Sequence, residues 1–163
     1  MSTKVRQATA SDIDCIMPIY DGARVYMAAN GNPNQWVDGY PSRDQLLSDI
    51  SKNQCYVVEV DGKIEGVFVF IIGDDPTYEV IENGSWLNSK PYGTIHRIAS
   101  SGNVRGIFEQ ALAFCFGKID NIRIDTHADN KIMQNKVTSN GFTRCGIIYL
   151  ASGAPRIAYQ KTL

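Results

Sequence analysis

The segment 95–115, which reads IHRIASSGNVRGIFEQALAFC, has the residue types of an anion-binding turn. An apolar strand pattern leads into a short loop of serine and glycine, and a helical pattern follows. The first N–H groups of a helix have no partner within it, and together with the helix dipole they attract an anion. Gly102 and Gly106 would let a phosphate approach the backbone, and Arg105 adds a positive charge. The residues alone leave two interpretations open: a phosphate-binding loop, or an ordinary turn between a strand and a helix.

The two histidines are candidates for proton transfer, because imidazole titrates near neutral pH. His96 lies in the middle of the strand pattern 94–100 and is the leading candidate for a general base. The alternative is a buried histidine bonded to the backbone. His127 ends the next strand pattern, 121–127, and is a weaker candidate.

Asp125, His127 and Asp129 alternate in the stretch DTHAD, a spacing that could hold a metal ion. Asp129 also suits the start of the following helix, where its side chain would accept backbone N–H groups. No cysteine or second histidine lies close enough in sequence to complete a ligand set. We therefore expect no metal site.

Two turn-rich segments, 30–41 and 73–93, carry aromatic residues. Loops as long as the second one are uncommon unless they serve a function. Each aromatic residue could simply cover the core, but as a group they suit the wall of a pocket for an acceptor substrate. Glu79, in the second segment, could reach the acceptor as a base. The predicted pocket residues are Trp36, Tyr40, Tyr78, Trp86 and Tyr92.

Hydrophobic periodicity predicts a single α+β domain over residues 1–163. Asp61-Gly62 marks an antiparallel hairpin, whereas the strand–helix–strand–helix pattern after residue 94 requires a parallel strand pair. Ser11 and Asp14 resemble a capping box for the first helix, which Pro18 should kink or split. The further predicted elements are strand 4–9, helix 42–53, hairpin 55–72, strand 94–100, helix 104–117, strand 121–127, helix 129–141 and strands 142–150 and 156–162.

The composition is that of a globular protein, with 44% hydrophobic and 20% charged residues in a chain of 163. A net charge of −1 argues against a large basic surface for nucleic acid. The longest apolar run, VFVFII at 67–72, is too short to span a bilayer, and the first residues lack the apolar run of a signal peptide. The four cysteines are dispersed and are expected to be reduced. We therefore expect a cytoplasmic protein that binds neither nucleic acid nor a membrane.

In combination, these segments resemble the GNAT superfamily of acyl-CoA-dependent N-acetyltransferases. The order and spacing of IHRIAS, SGNVRGIFEQAL, RIDTH, DNKIMQNKV and NGF follow that family, and CGIIYL and PRIAYQK match its last two strands. GNPNQW, DPTY and WLN-x-x-PYG are similar to an uncharacterised bacterial branch. The resemblance covers essentially the whole chain and is best over 86–160.

The resemblance implies a mixed, mostly antiparallel sheet with a splayed central parallel strand pair, flanked by about four helices. Acetyl-CoA, as co-substrate, would lie between strands 94–100 and 121–127, with its pyrophosphate on the amides of 104–108. The implied cofactor-binding residues are Ile98, Ala99, Ser100, Val104, Arg105, Gly106, Ile107, Phe108, Asn130 and Met133.

Two positions depart from the family pattern. The family's phosphate loop has a second glycine, whereas here Arg105-Gly106 runs directly into Ile107, as though two residues had been deleted. Four residues before Gly141 the family often has a tyrosine that protonates the leaving thiolate, and this chain has Val137.

The predicted function is transfer of an acetyl group from acetyl-CoA to a primary amine by direct attack in a ternary complex. The candidate catalytic residues are His96, Glu79 and His127, and the acceptor would be a small amine or a peptide N-terminus. The alternative is a non-catalytic module that binds acyl-CoA. A purely structural domain would leave the two aromatic loops unexplained. The segment YLASGAPRIAYQ, 149–160, could pair two copies into a homodimer.

Overall fold

The computed structural model describes residues 2–163, which form seven strands, four α-helices and two short 3-10 helices. The strands are β1 (Thr3–Gln7), β2 (Cys55–Val60), β3 (Lys63–Ile72), β4 (Gly93–Ser100), β5 (Asn121–Thr126), β6 (Thr143–Tyr149) and β7 (Pro155–Thr162). The α-helices are α1 (Ile13–Ala29), α2 (Arg43–Ser51), α3 (Ile107–Phe116) and α4 (Lys131–Ser139), and the 3-10 helices are Ala10–Asp12 and Pro76–Tyr78.

The seven strands form one mixed sheet in the order β1-β2-β3-β4-β5-β7-β6. The β1–β2, β2–β3, β5–β7 and β6–β7 pairs are antiparallel, and β4 and β5 are parallel. The parallel register covers only Gly93 opposite Ile122 and Thr94 opposite Arg123, although β4 continues to Ser100. This confirms the predicted mixed, mostly antiparallel sheet with a parallel pair and four helices.

The chain forms two compact units. Unit 1 contains the residues up to Phe70 together with Ile95–Phe114, and unit 2 contains Ile71–Thr94 together with Cys115–Leu163. β4 therefore contributes its first two residues to unit 2, where they pair with β5, and its remaining residues to unit 1.

The core of unit 1 lies between β2, β3 and the apolar stripe of α1. Ile16 and Tyr20 of α1 are fully buried, as are Val57 and Val67 of the two strands. Helix α1 continues through Pro18, so of the two predicted outcomes the split is excluded, and the kink stays a prediction. Pro18 is exposed, and the carbonyl left without its helical N–H partner can therefore be solvated.

The capping residues at the start of α1 also differ from the prediction. The N–H of Thr9 donates to the carboxylate of Asp12 (2.7 Å), rather than Ser11 pairing with Asp14. Arg6 holds the Asp12 side chain in the capping position, because its two terminal nitrogens donate to the Asp12 carboxylate at 2.8 and 2.9 Å.

The core of unit 2 forms where segment 73–92 covers β6 and β7. Tyr78 and Tyr92 of the segment are buried with Ile148 and Ala158 of the strands. Polar contacts hold the same segment, since the N–H of Leu87 donates to Gln160 Oε1 at 2.9 Å. These contacts at Tyr78, Leu87 and Tyr92 attach the turn-rich segment to β6 and β7.

Gly66 determines how closely α3 approaches β3 within unit 1. A Cβ atom at this position would lie 2.4 Å from Cγ2 of Ile107, the first residue of α3, and 3.4 Å from Cβ of Val58. Ile107 and Val58 are themselves buried, so neither side chain has space to move away. The start of α3 thus depends on the missing side chain of Gly66.

We expect Gly66→Ala to lower the free energy of unfolding by about 1–3 kcal/mol, because the new methyl group overpacks the contact with Ile107. Gly22→Ala is the matched control, since nothing lies within 4 Å of its added Cβ in α1. That control should raise the free energy of unfolding by about 0.5–1 kcal/mol through helix propensity. Urea titration measures both, and a Gly66→Ala variant as stable as the wild type would contradict this account of α3.

Candidate active site

The loop between β4 and α3 is attached to β3 through Glu65. The N–H of Ser101 donates to the Glu65 carbonyl at 2.9 Å, and the Ser101 hydroxyl donates to the buried Glu65 carboxylate. Ser101 Oγ also accepts the N–H of Asn103 at 3.2 Å. The first half of the loop is thus ordered by side-chain bonds, which a flexible glycine-rich loop would lack.

Helix α3 begins at Ile107, not at Val104 as predicted. Gly106 has φ +84°, a conformation that glycine adopts without strain, and its carbonyl accepts the N–H of Gln110 at 3.0 Å. The first helical amides therefore belong to Ile107 and Phe108, whose side chains are buried. These two residues can offer an anion only their backbone N–H groups.

The residues ahead of the helix leave space beside those amides. Arg105 and Gly106 are exposed, and Val104 is half-buried. Nothing lies within 4 Å of the position that a Cβ would take on Gly102 or Gly106. A helix start and room for an anion suit a phosphate group, and the sequence places Arg105 directly before Gly106.

The second half of β4 departs from regular strand geometry at Arg97, which has φ +47°. Few residues other than glycine adopt this conformation, and holding one there costs on the order of 1–3 kcal/mol. Beyond it, Ile98 is half-buried, Ala99 buried and Ser100 exposed. His96 is half-buried and directly precedes the irregular residue.

A polar network holds the Arg97 side chain in unit 1. Its Nε and Nη2 donate to the two oxygens of Asp49 at 2.8 Å each, and its Nη1 donates to the Tyr40 hydroxyl at 3.0 Å. Asp49 also accepts from Gln45 Nε2 at 3.0 Å and is only 2% exposed. Burial opposes the charge on Arg97, but the bonds to Asp49 raise its pKa overall.

Helix α4 begins at Lys131, and its N-cap is Asn130 instead of the predicted Asp129. The buried Asn130 side chain caps the helix by accepting the N–H of Met133 at 3.0 Å. The N–H of Asp129 instead donates to Nδ1 of His127 at 3.0 Å. Val137, at the position where the family often has tyrosine, is fully buried.

The bond from Asp129 weakens the case for His127 as a base. A neutral imidazole has one nitrogen that donates and one that accepts. Nδ1 of His127 already accepts a backbone N–H, so Nε2 carries the proton in the neutral ring. His127 would have to break this bond before taking a proton.

The five predicted pocket aromatics lie in two sets, one in each unit. In unit 1, Trp36 packs edge-on against Tyr20, with ring centroids 5.7 Å apart, and against Tyr40 at 6.3 Å. In unit 2, Tyr78 packs against Trp86 at 5.1 Å and against Tyr92 at 6.1 Å. The second set lines a cavity.

The cavity in unit 2 has a volume of about 610 Å³, a size typical of small-molecule sites. Its floor includes Arg123 of β5, and carboxylates contribute to its wall. Glu79, predicted as a possible base, is exposed at this cavity. The lining residues are Asp74, Asp75, Tyr78, Glu79, Ile81, Ser85, Trp86, Asn88, Ser89, Tyr92 and Arg123.

Sequence reasoning did not identify Arg123 or the role of Asp125. Burial and the charge of Asp125 raise the pKa of Tyr78 well above its ordinary value, so the hydroxyl stays protonated and donates to Asp125 at 2.6 Å. Arg123 lies two residues earlier on β5, against Trp86 and Tyr92. A signal was present: in NIRIDT, polar side chains at 121, 123 and 125 alternate with apolar ones, which predicts one polar face.

Within residues 2–163, no group of three or more His, Cys, Asp or Glu side chains could hold a metal ion. No helix in the same range has both the length and the apolar character needed to cross a membrane.

Solved structures place the fold among the N-acetyltransferases. PaiA N-acetyltransferase from Thermoplasma acidophilum, in complex with coenzyme A, has a TM-score of 0.66 at 14% identity, with 100% of both chains covered. A putative acetyltransferase from Salmonella typhimurium, with its cofactor acetyl-CoA, has a TM-score of 0.62 at 15% identity, covering 100% of this chain and 95% of that one. At these identities the likeness concerns the fold alone.

A more similar structure shows the family. An acetyltransferase of the GNAT family from Streptococcus agalactiae is 33% identical, with a TM-score of 0.90, and the match covers 99% of this chain and 95% of that one. The chain therefore belongs to the GNAT family of acetyltransferases, which confirms the resemblance found in the sequence. No protein-family model matches the chain, and no curated protein matches its sequence.

We expect Asp49→Ala to lower the free energy of unfolding by about 3 kcal/mol or more, because it leaves the Arg97 guanidinium without its anion. Asp44→Ala, an exposed change in the same helix, is the control and should cost about 0.5 kcal/mol. Chemical denaturation compares the two. Equal losses for Asp49→Ala and Asp44→Ala would show that the pair does not hold β4.

Proposed function

We propose that this protein transfers an acetyl group from acetyl-CoA to a primary amine by direct attack within a ternary complex. The observation that carries the proposal is the start of α3, where exposed backbone beside Gly106 precedes the amides of Ile107 and Phe108. Family membership supports acetyl transfer, and two structural neighbours were solved with coenzyme A or acetyl-CoA.

The residues present suit a pyrophosphate group. The family's second glycine is absent, but amide donors need only a helix start and room for the anion. Gly106 supplies both, because it directly precedes the first helical residue, its carbonyl accepts the N–H of Gln110, and the space on its Cα is open. Arg105 supplies a charge at the same turn, and Val104 completes the loop.

The remaining proposed contacts are with the arm of the cofactor. The backbone of Ile98, Ala99 and Ser100 would bond its amide groups, since β4 pairs with β5 only at Gly93 and Thr94. In unit 2, Asn130 and Met133 form the first turn of α4, and their proposed contact is also with this arm. Asn130 would bind while its side-chain oxygen caps the helix.

The bound co-substrate supplies a thioester, at which the amine nitrogen bonds to the carbonyl carbon, the C–S bond breaks and sulfur leaves as the CoA thiolate. An alkyl amine is mostly protonated at neutral pH, so a base must take one proton before attack. As the C–S bond breaks, the nitrogen loses a second proton, which passes to solvent or to the departing thiolate. His96 is the proposed base, because it stands on β4 directly before Arg97. Glu79, at the cavity of unit 2, is the second candidate, and His127 the third.

The chain lacks the family's tyrosine acid, and Val137 in its place is fully buried. A thiol has a pKa of about 8.5, so its thiolate leaves without prior protonation. The loss is compatible with turnover, and it is also the observation that favours the alternative, a GNAT module that binds acyl-CoA without transferring the acyl group.

Thermal unfolding with acetyl-CoA, CoA or ATP separates binding from catalysis. A CoA ligand at 100 times its Kd should stabilise the protein by about 2.7 kcal/mol, which raises Tm by several degrees at this chain length. ATP tests whether the phosphates alone suffice. A Tm unchanged by both CoA species would exclude the transferase and the binding module alike.

Release of free thiol from acetyl-CoA over a panel of amines then distinguishes the two functions. We expect thiol release with at least one primary amine. A Tm shift without thiol release from alkyl amines, polyamines, amino acids or peptides would identify the non-catalytic module.

We expect His96→Gln to lower kcat by about 100-fold and to flatten the acid limb of the kcat profile, because the proton acceptor is removed. His127→Gln tests the third candidate in the same way, and we expect it to keep the wild-type profile, since Nδ1 of that ring accepts the N–H of Asp129. An unchanged profile in His96→Gln would assign the base to another residue.

A further inference from the structure

Arg123 is a buried cation for which the described chain supplies no anion. It is 5% exposed and lines the cavity of unit 2. Its Nη2 donates to the carbonyl of Asn88 at 2.9 Å, and its Nε has no hydrogen-bond partner. No carboxylate among residues 2–163 forms an ion pair with it. Buried charges in proteins are normally paired, so this one points to an anionic group from outside the chain.

The surroundings of Arg123 restrict how such a group can approach. The guanidinium carbon lies 4.0 Å from the ring centroid of Trp86 and 4.0 Å from that of Tyr92. Two aromatic rings therefore cover the guanidinium, and further partners must come to its N–H edge. A planar edge with several donors matches a carboxylate, which it can bind through two parallel bonds.

Both rings are fixed in place. The Tyr92 hydroxyl accepts the N–H of Asp75 at 2.8 Å, and Trp86 Nε1 donates to the Tyr78 carbonyl at 2.9 Å. Little side-chain freedom remains to be lost on binding, which favours affinity for a small ligand.

The same cavity also carries negative charge suited to an amine. Asp75 is committed to the 3-10 helix, because Oδ1 accepts both the N–H and the hydroxyl of Thr77 at 2.9 and 2.7 Å. Asp74 and Glu79 line the cavity as exposed residues, and their carboxylates form no ion pair or hydrogen bond with residues 2–163. One buried guanidinium and two available carboxylates thus face one space of about 610 Å³.

We propose that this cavity binds an α-amino acid as the acyl acceptor, with its carboxylate on the edge of Arg123 and its amine beside Asp74 and Glu79. An α-amino acid is a small amine that carries both required charges, on two groups bonded to the same carbon atom. The proposal rests on the proposed acetyl transfer and narrows its acceptor from primary amines in general to amines with a neighbouring carboxylate.

The first test needs no variant. Thiol release from acetyl-CoA is measured with each of the twenty standard L-amino acids and with its amide, and for the best one also with the amine that lacks the carboxylate. We expect kcat/KM for the acid to exceed that for the amide and the amine by at least about tenfold, because a charge-assisted bond is lost. Equal values across the three would overturn the proposal.

The second test uses Arg123→Gln, with Arg144→Gln, an exposed change on β6 of the same unit, as control. The ratio of kcat/KM for the acid to kcat/KM for the amide should fall close to one in Arg123→Gln and remain unchanged in Arg144→Gln. Arg123→Lys keeps the positive charge and should retain part of the preference for the acid over the amide. It replaces Arg123→Gln in this test if the glutamine variant does not fold. A full preference in a folded Arg123→Gln would overturn the proposal.

Direct titration calorimetry without acetyl-CoA separates this inference from the proposed function. If thiol release fails with every amine but an L-amino acid binds at least tenfold more tightly than its amide, the cavity assignment stands and the transferase proposal fails. If none of the twenty amino acids binds, with or without turnover of other amines, the proposal that the cavity binds an α-amino acid fails.

Discussion

The ion pair between Arg97 and Asp49 is the interaction on which the rest of the proposed site depends. Arg97 has φ +47° within β4, a strained conformation for a residue other than glycine. Its two hydrogen bonds of 2.8 Å to the buried Asp49 carboxylate offset that strain. A strand distorted at that residue does not continue a regular ladder, and the register with β5 ends at Thr94. The N–H and C=O groups that follow are those proposed to bind the arm of the co-substrate.

The end of β4 and the start of α3 depend on backbone more than on side chains. Glu65 fixes Ser101, and Gly66 permits Ile107 to lie against β3. Together they place a helix start directly after the irregular strand. The proposed anion site therefore requires no second glycine, because nothing lies within 4 Å of the position that a Cβ would take on Gly106.

Local signals in the sequence predicted the helices and strands well. The roles of residues whose partners are distant in the sequence were not predicted. Asp61 and Gly62 have φ values of +52° and +82° in the predicted hairpin turn, and Ser42 caps α2 by accepting the N–H of Gln45 at 3.1 Å. The cap of α1 was misplaced because Arg6, several residues away, selects Asp12. Arg123 was missed because its significance comes from two rings more than thirty residues earlier in the chain. Its alternation with Asn121 and Asp125 was the one local sign of that face.

In the proposed complex, the amides at the start of α3 bind the phosphates of acetyl-CoA, and the edge of β4 at Ile98–Ser100 binds its arm. Amide hydrogen exchange with and without saturating acetyl-CoA tests it residue by residue. We expect acetyl-CoA to slow exchange at Ile98–Ser100 and at Ile107 and Phe108, with little change at the hairpin turn of Asp61 and Gly62. Unchanged exchange in both segments while acetyl-CoA is bound would contradict it.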